Sequence, residues 1–184
     1  MKMKMLFATI LLSGLMFSTG CEKVKSLLDV KFDANYTVNL NTTVPPASGT
    51  IKSIQSSFEG SATIDPTSNP DVSKYLNLIK SWTVNSITGT FNNVTKEAVL
   101  QTGVLTFSSD AGIATWTFTN VQIKNGGTVT IDNTNGQLDK LSTILSSKKP
   151  FTVNLAGTTD KDDFSFTLSL EINSTVVANP LGSK

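Results

Sequence analysis

The stretch that decides the fold is FSFTLSLEI, residues 164–172, in which apolar and polar side chains alternate without a break. The apolar members are Phe164, Phe166, Leu168, Leu170 and Ile172, and the polar members are Ser165, Thr167, Ser169 and Glu171. A period of two places all the apolar members on one face of a β-strand. This stretch therefore predicts a strand with its apolar face in a core and its Ser/Thr face toward solvent.

The same alternation recurs along most of the chain, and turn signals rich in Gly, Pro, Asn and Asp separate the alternating segments. The eight predicted strands fall at about residues 30–40, 51–64, 82–91, 99–107, 113–123, 129–131, 151–155 and 164–172. The third of them has an irregularity at Asn85-Ser86 that suggests a bulge. The fourth and fifth strands should form a hairpin.

Two segments have helical rather than strand spacing. Asn69-Pro70 is a cap followed by a proline in the first turn, and apolar residues then recur at helical spacing up to Ile79. The second helix has an apolar stripe formed by Leu138, Leu141, Ile144 and Leu145. The predicted fold is thus mainly β, an antiparallel sandwich or a partly closed barrel with two short capping helices.

Two stretches of the chain share one order of features. Thr63-Ile64-Asp65, a helix beginning near Asn69 and Trp82-Thr83-Val84-Asn85 correspond to Thr130-Ile131-Asp132, a helix beginning near Asn135 and Phe151-Thr152-Val153-Asn154. Val72 then matches Leu138, and Tyr75 matches Leu141. The match suggests a strand–helix–strand duplication with pseudo-twofold character, although chance similarity among common residue types is the alternative.

The composition excludes several classes of function. The chain has 184 residues, 39% of them hydrophobic and 16% charged, with a formal net charge of +1. That balance supports a packed core and gives no electrostatic attraction to nucleic acid. Every basic residue is a lysine, and the chain has no histidine and one cysteine. The usual general base, the commonest transition-metal ligand and any internal disulfide are therefore missing, and we expect neither an enzyme nor a cofactor.

The N-terminus has the layout of a secretory signal. Lys2 and Lys4 precede an apolar run over residues 5–17, and small residues then lead to Cys21. The apolar run is shorter than the roughly 20 residues that a permanent membrane-spanning helix needs.

An outer-membrane barrel is the main competing interpretation for the strands that follow. The lipid-anchor signal, the two helices and the lack of evident aromatic girdles argue against it.

Thr19-Gly20-Cys21 resembles the lipid-attachment motif of bacterial lipoprotein precursors, with Ser18 standing where leucine is usual. The resemblance implies cleavage before Cys21 and a diacylglycerol on its thiol, which would anchor the protein to a membrane. Residues 1–20 are then a signal peptide, residues 21–29 the lipid-attachment site and tether, and residues 30–184 one β-rich domain. Ordinary secretory cleavage that leaves a free Cys21 is the alternative. Glu22, in place of aspartate, favours the outer membrane.

Three carboxylates cluster at Asp160, Asp162 and Asp163, before the last predicted strand. They could offer oxygens to calcium, but a solvated turn in which Lys161 offsets the charge explains them better. The segment at 132–136, Asp-Asn-Thr-Asn-Gly, also has some likeness to a calcium loop. Its glycine comes one place early and the terminal glutamate is missing, so a helix cap is the better interpretation.

The aromatic residues could form a sugar-stacking platform from Trp82, Trp116, Tyr36 and Tyr75. Both tryptophans lie on predicted strands among apolar neighbours, so core packing is favoured.

Two Ser-Lys pairs, Ser73-Lys74 and Ser147-Lys148, could in principle supply a nucleophile and a base. Adjacent residues of a helix do not face each other, which argues against both pairs.

The function expected from the sequence is that of a lipid-anchored bacterial envelope protein, a non-catalytic structural or binding and adhesion module. Its partners would be the membrane, through Cys21, and a protein, a glycan or an apolar ligand. The alternative is a carrier of an apolar small ligand in a cavity between the sheets or within the barrel. A hydrolase that uses only carboxylates is the least favoured class.

Overall fold

The computed structural model describes residues 29–47 and 55–181. Within these ranges the chain forms nine strands, two α-helices and three short 3₁₀ segments. The strands are β1 (Val30–Asp33), β2 (Tyr36–Val44), β3 (Ser56–Ile64), β4 (Ile79–Asn92), β5 (Ala98–Ser109), β6 (Gly112–Ile123), β7 (Thr128–Ile131), β8 (Phe151–Thr159) and β9 (Phe164–Ala178). The helices are α1 (Pro70–Tyr75) and α2 (Gln137–Ser146), and the 3₁₀ segments are Pro66–Ser68, Leu76–Leu78 and Thr134–Gly136.

The strands form two antiparallel sheets. The five-stranded sheet has β1 and β2 end to end along one edge of β9, followed by β4 and β7. The four-stranded sheet has the order β3-β8-β5-β6. Their apolar faces meet in one core, where the Phe166 ring of β9 contacts the Phe58 ring of β3 edge to face at 5.3 Å. The predicted mainly-β fold is confirmed, and of its two architectures the structure shows the sandwich.

The stretch 164–172 lies in β9, at the centre of the five-stranded sheet. Its five apolar side chains are at most 5% exposed, as the alternation predicts. Thr167 differs from expectation, since it is only 8% exposed although it faces away from the core. It donates a hydrogen bond of 2.9 Å to Oδ1 of Asn41 on β2, and the amide of Asn93 approaches from the other side. Side chains from outside β9 bury Thr167 on this outer face. The alternation of a single strand cannot predict such coverage.

Two predicted boundaries are wrong. The strand at 30–40 is divided at Ala34-Asn35, where Ala34 N–H donates to the Ser174 carbonyl and Ser174 Oγ donates to the Ala34 carbonyl. The first helix ends at Tyr75 rather than near Ile79, because a 3₁₀ segment follows and Ile79 already begins β4.

The strand predicted at 151–155 is longer than expected, because β8 continues through Gly157 to Thr159. A side chain at Gly157 would collide with the Thr102 carbonyl, so glycine here permits close approach of two strands rather than a turn. The predicted bulge is confirmed by a register shift between Val84 and Ser86. The predicted hairpin is confirmed as well, since β5 and β6 pair up to Ser109 and Gly112.

The strand topology has the twofold character that a duplication predicts. One half comprises β2, β3, α1, β4 and β5, and the other comprises β6, β7, α2, β8 and β9. In this correspondence β2, β3, β4 and β5 are equivalent to β6, β7, β8 and β9. Exchanging the halves then converts each pairing into another that is present: β3–β8 becomes β7–β4, β2–β9 becomes β6–β5, and β5–β8 becomes β9–β4. The symmetry therefore covers every strand after β1.

The matched residues do not follow this symmetry in detail. Ile64 pairs with Phe151, whereas its sequence match Ile131 pairs with Ile87 rather than with Trp82. The helices also differ, since α1 has six residues and α2 has ten. Val72 and Leu138 are both buried, but the matched pair Tyr75 and Leu141 is not equivalent, because Tyr75 is only half-buried.

Candidate functional site

The connections between strands are divided between the two ends of the sandwich. Four of them cross from one sheet to the other at a single end, and we define their described residues, 45–47, 55, 93–97, 124–127 and 160–163, as the loop end. The opposite end holds both helices, the β5–β6 turn and the first and last described residues. We define it as the helix end, residues 29–30, 65–78, 110–111, 132–150 and 179–181.

Hydrogen bonds between different connections tie the loop end together. Asp162 Oδ2 accepts from Ala47 N–H at 2.8 Å, and Lys96 Nζ donates to the Asp162 carbonyl at 2.7 Å. On the other side of the loop end, Asn125 Oδ1 accepts from Val94 N–H at 2.9 Å. Loops carried on a rigid sandwich commonly bind partners. The loop end, whose connections are joined by hydrogen bonds, is therefore one candidate for an interaction surface.

The calcium candidates lie in the loop end. Asp160 Oδ1 accepts a 2.6 Å hydrogen bond from Val99 N–H, and Asp162 binds Ala47 as described. Asp163 has a positive φ of 56°, and its N–H donates to the Pro45 carbonyl at 3.4 Å. The carboxylates of Asp160 and Asp162 therefore fix backbone, as expected of a turn. Among the described residues, no group of three or more acidic or cysteine side chains could hold a metal ion.

A pocket of about 360 Å³ lies where the free edge of β6 faces the segment that enters α2. It opens to solvent and is lined by Thr115, Trp116, Thr117, Phe118, Thr130, Asp132, Thr134, Asn135 and Gln137. Trp116 Nε1 donates to the Asp132 carbonyl at 2.7 Å, and Gln137 Oε1 accepts from Thr115 N–H at 2.8 Å. These two hydrogen bonds fix the entry of α2 against β6 and so set the shape of the pocket.

The segment entering α2 has an unusual backbone. Asn135 and Gly136 both have positive φ, 55° and 68°. The residue at the N-cap position of α2 is Gly136, and the side chain that accepts from the first turn is that of Asn133, whose Oδ1 binds Leu138 N–H at 2.8 Å, in line with the helix cap expected within 132–136. Hydrogen bonds from the side chain and backbone of Thr134 lower the pKa of the exposed Asp132 carboxyl. Asp132 is therefore ionised at neutral pH.

The four aromatic residues weighed as a sugar platform are not brought together. Trp82 stacks on Tyr36 at 6.3 Å within the core, and Trp116 packs edge to face against Phe107 at 5.5 Å. The two tryptophans are 4% and 6% exposed, so the core interpretation is confirmed. Trp116 nevertheless contributes to the pocket lining.

The Ser-Lys pairs have other partners. Ser147 Oγ donates to the Ile144 carbonyl at 2.6 Å, and Lys148 Nζ donates to the Leu76 carbonyl at 2.7 Å. Lys74 Nζ lies 4.8 Å from the centre of the Tyr75 ring. Lys148 therefore joins the end of α2 to the segment after α1, and each lysine contacts a group other than the hydroxyl of its adjacent serine.

Cys21, the predicted lipidation site, lies outside the described residues. No helix within residues 29–47 and 55–181 is long and apolar enough to cross a membrane. Sequence reasoning missed the pocket, because its lining comes from an edge strand and from a helix entry that only the tertiary fold brings together.

Comparisons with known proteins identify no family. No family model matches the chain, and a search of curated proteins finds no match. Among solved structures, one of Desmodium yellow mottle tymovirus is similar at a TM-score of 0.34 and 10% identity, over 84% of this chain and 86% of that chain. One of turnip yellow mosaic virus has a TM-score of 0.24 and 10% identity, over 81% and 96%. Similarities at this level carry no argument about function.

Proposed function

We propose that this protein is a non-catalytic binding module of the bacterial envelope, anchored to a membrane through a lipid on Cys21. Its loop end faces away from that membrane. The observation that carries the proposal is the position of residue 29, where the segment from Cys21 reaches the domain. It lies at the helix end, opposite the loop end. The absence of aspartate after Cys21 supports the outer membrane as the site of anchoring.

The length of the tether supports this orientation. Eight residues, 22–29, separate Cys21 from β1, and fully extended they reach at most about 28 Å. Asp29 Oδ1 pairs with Lys80 Nζ at 2.9 Å, so the chain is held to the domain from residue 29 onward. β5 and β6 have twelve residues each, which gives the sandwich a length of about 40 Å. A lipid on Cys21 would therefore keep the helix end near the bilayer and the loop end far from it.

The interior favours a binding module over a carrier of an apolar ligand. The space between the sheets is filled by large side chains that are less than 2% exposed, among them Leu40, Phe91, Leu105 and Phe107. The pocket beside α2 and a second depression of about 400 Å³ at the β2–β3 corner both open at the surface. An apolar ligand would need to displace packed core side chains, which carries a large free-energy cost.

The anchor is tested by Cys21→Ser. The variant should move from the detergent phase to the aqueous phase in phase partitioning, since it loses the acylated thiol. Ser18→Leu, which supplies the usual residue of the motif, is the matched control and should partition as the parent does. Unchanged partitioning of Cys21→Ser would disprove lipid anchoring at this residue.

A further inference from the structure

We propose that the pocket between β6 and the entry of α2 binds a neutral saccharide. This site is separate from the loop end, and the proposal does not depend on the lipid anchor. Its volume of about 360 Å³ is at the lower end of the range for small-ligand sites, as a ligand of one or two sugar rings requires.

Several polar groups in the lining remain available for a ligand. Gln137 uses Oε1 to accept from Thr115 N–H, and no hydrogen bond within the described structure occupies its Nε2. Asp132, which accepts from Thr134 N–H through Oδ1, also lines the pocket, and a carboxylate has more acceptor sites than its bonds to Thr134 use. Thr117 and Thr130 add two hydroxyls to the same lining. Mixed donors and acceptors of this kind suit vicinal hydroxyl groups, each of which both donates and accepts.

The backbone at Asn135 is the second observation. Asn135 has a left-handed backbone at φ 55°, a conformation that asparagine adopts more readily than most residues. The acceptor for Leu138 N–H is Asn133, and the side chain of Asn135 makes no hydrogen bond within the described residues, so its carboxamide is available to a ligand. The left-handed conformation places Asn135 in the pocket lining. A carboxamide there can donate to one hydroxyl and accept from another.

The charge of the lining selects the class of ligand. Asp132 is the one ionisable side chain in it, and no lysine takes part. An anionic ligand would meet an ionised carboxylate with no compensating cation, which disfavours acidic sugars and phosphates. Trp116 and Phe118 line the base of the pocket but are only 6% and 8% exposed, so the groups offered to a ligand are mainly polar.

The experiment uses the emission of Trp116 as its readout. The full chain carrying Trp82→Phe has one tryptophan, located in the pocket, and is kept in a polyoxyethylene detergent that contains no sugar. It is titrated in the millimolar range with glucose, galactose, mannose, N-acetylglucosamine and their β-linked disaccharides. Calcium chloride and choline chloride are titrated separately. We expect a saturable change with at least one saccharide and no saturable change with either salt.

Two pocket variants and one control are then compared. Asn135→Gly removes the carboxamide and relieves the left-handed strain, so it should fold at least as stably as the parent yet bind the saccharide at least about tenfold more weakly. Asp132→Asn should weaken binding similarly. Asp110→Asn, at an exposed carboxylate in the β5–β6 turn, should bind as the parent does. No response to any of the saccharides, a response to a cation alone, or binding that survives both pocket substitutions would overturn the proposal.

Discussion

Thr167 and Leu168 are neighbours on β9 and are both almost inaccessible to solvent, at 8% and 1% exposure. They are buried for different reasons. Leu168 lies in the apolar layer between the sheets, whereas Thr167 lies on the outer face under Asn41 and Asn93. Alternation along one strand assigns each residue to the correct face. It cannot tell how far polar side chains of adjacent strands cover the outer face.

These two residues give the first prediction. Leu168→Ala should lower the free energy of unfolding by about 2 to 5 kcal/mol, since it leaves a cavity in the core. Thr167→Ala removes the hydrogen bonds of one hydroxyl with Asn41 and Asn93 and should lower the free energy of unfolding by about 1 kcal/mol. Chemical denaturation of both variants measures the difference. Equal losses would mean that the apolar layer does not have the position described for it.

The second prediction concerns Tyr36, whose hydroxyl donates to the Pro66 carbonyl at 2.9 Å. Burial, and secondarily the charge of Asp65, raises the pKa of Tyr36 above its ordinary value. The folded protein then keeps this proton above about pH 10, where the unfolded chain releases it. The contribution of Tyr36 to stability is therefore complete below about pH 10 and declines above it.

Tyr36→Phe isolates this effect from the lysines, which also titrate at high pH. The free energy of unfolding of the parent should fall more steeply than that of the variant above about pH 10, by up to about 1.4 kcal/mol per pH unit. Below that pH the difference between the two should be constant. Parallel curves across the whole range would show that the Tyr36 hydroxyl ionises as freely in the folded protein as in the unfolded chain.

At the scale of elements, α2 and the hairpin β5–β6 could be predicted from the sequence because their signals are local. The stripe of α2 is fully buried, and the two-residue turn at Asp110-Ala111 closes the hairpin where the turn signal stands. The division between β1 and β2 could not be predicted, because it depends on Ser174, which is 140 residues from Ala34. The extension of β8 through Gly157 depends in the same way on a distant strand, β5.

The third prediction distinguishes the two asparagines that precede α2. Asn133→Ala removes the acceptor for Leu138 N–H and should cost about 1 kcal/mol of stability. Asn135→Gly removes a side chain that makes no cap and should leave stability unchanged or raise it by up to about 1 kcal/mol. Thermal unfolding of both variants decides which residue caps the helix. A larger loss for Asn135→Gly would restore the equivalence with Asn69 that the sequence suggested.

At the scale of the molecule, the twofold topology makes the connection between the two halves, β5 to β6, equivalent to the place where β9 and β2 would be joined. The first and last described strands meet where Val30 pairs with Ala178, and the β5–β6 turn is the counterpart of that junction in the other half. The fourth prediction follows: a domain that begins at 112, runs to 181, and continues through a short Gly-Ser linker into 29–109 should fold. Its unfolding should stay cooperative. Loss of a single transition would show that the halves are not equivalent in folding.

For the candidate sites, as for the fold, the sequence predicts local features and misses those that depend on contacts between distant residues. The turn interpretation of the 160–163 carboxylates could be reached from sequence, since no second acidic cluster accompanies it. The pocket could not be predicted from the sequence. Trp116 on β6 and Asn135 before α2 come together only when the segment entering α2 packs against β6 in the folded domain. The orientation of the loop end likewise needs the topology, which places four of the six connections that cross between the sheets on one side.

The most direct test of the central claim is the distance of each end from the bilayer. Acylated protein purified from membranes carries no other cysteine, so Lys124→Cys at the loop end and Lys149→Cys at the helix end each provide a single thiol for a fluorescent label. Both are placed in vesicles whose lipids carry a quencher in the acyl chain. We predict strong quenching of the label at 149 and little at 124, because about 40 Å separates the two ends. Equal or reversed quenching would contradict the proposed orientation, and failure of either protein to remain with the vesicles would contradict the anchor.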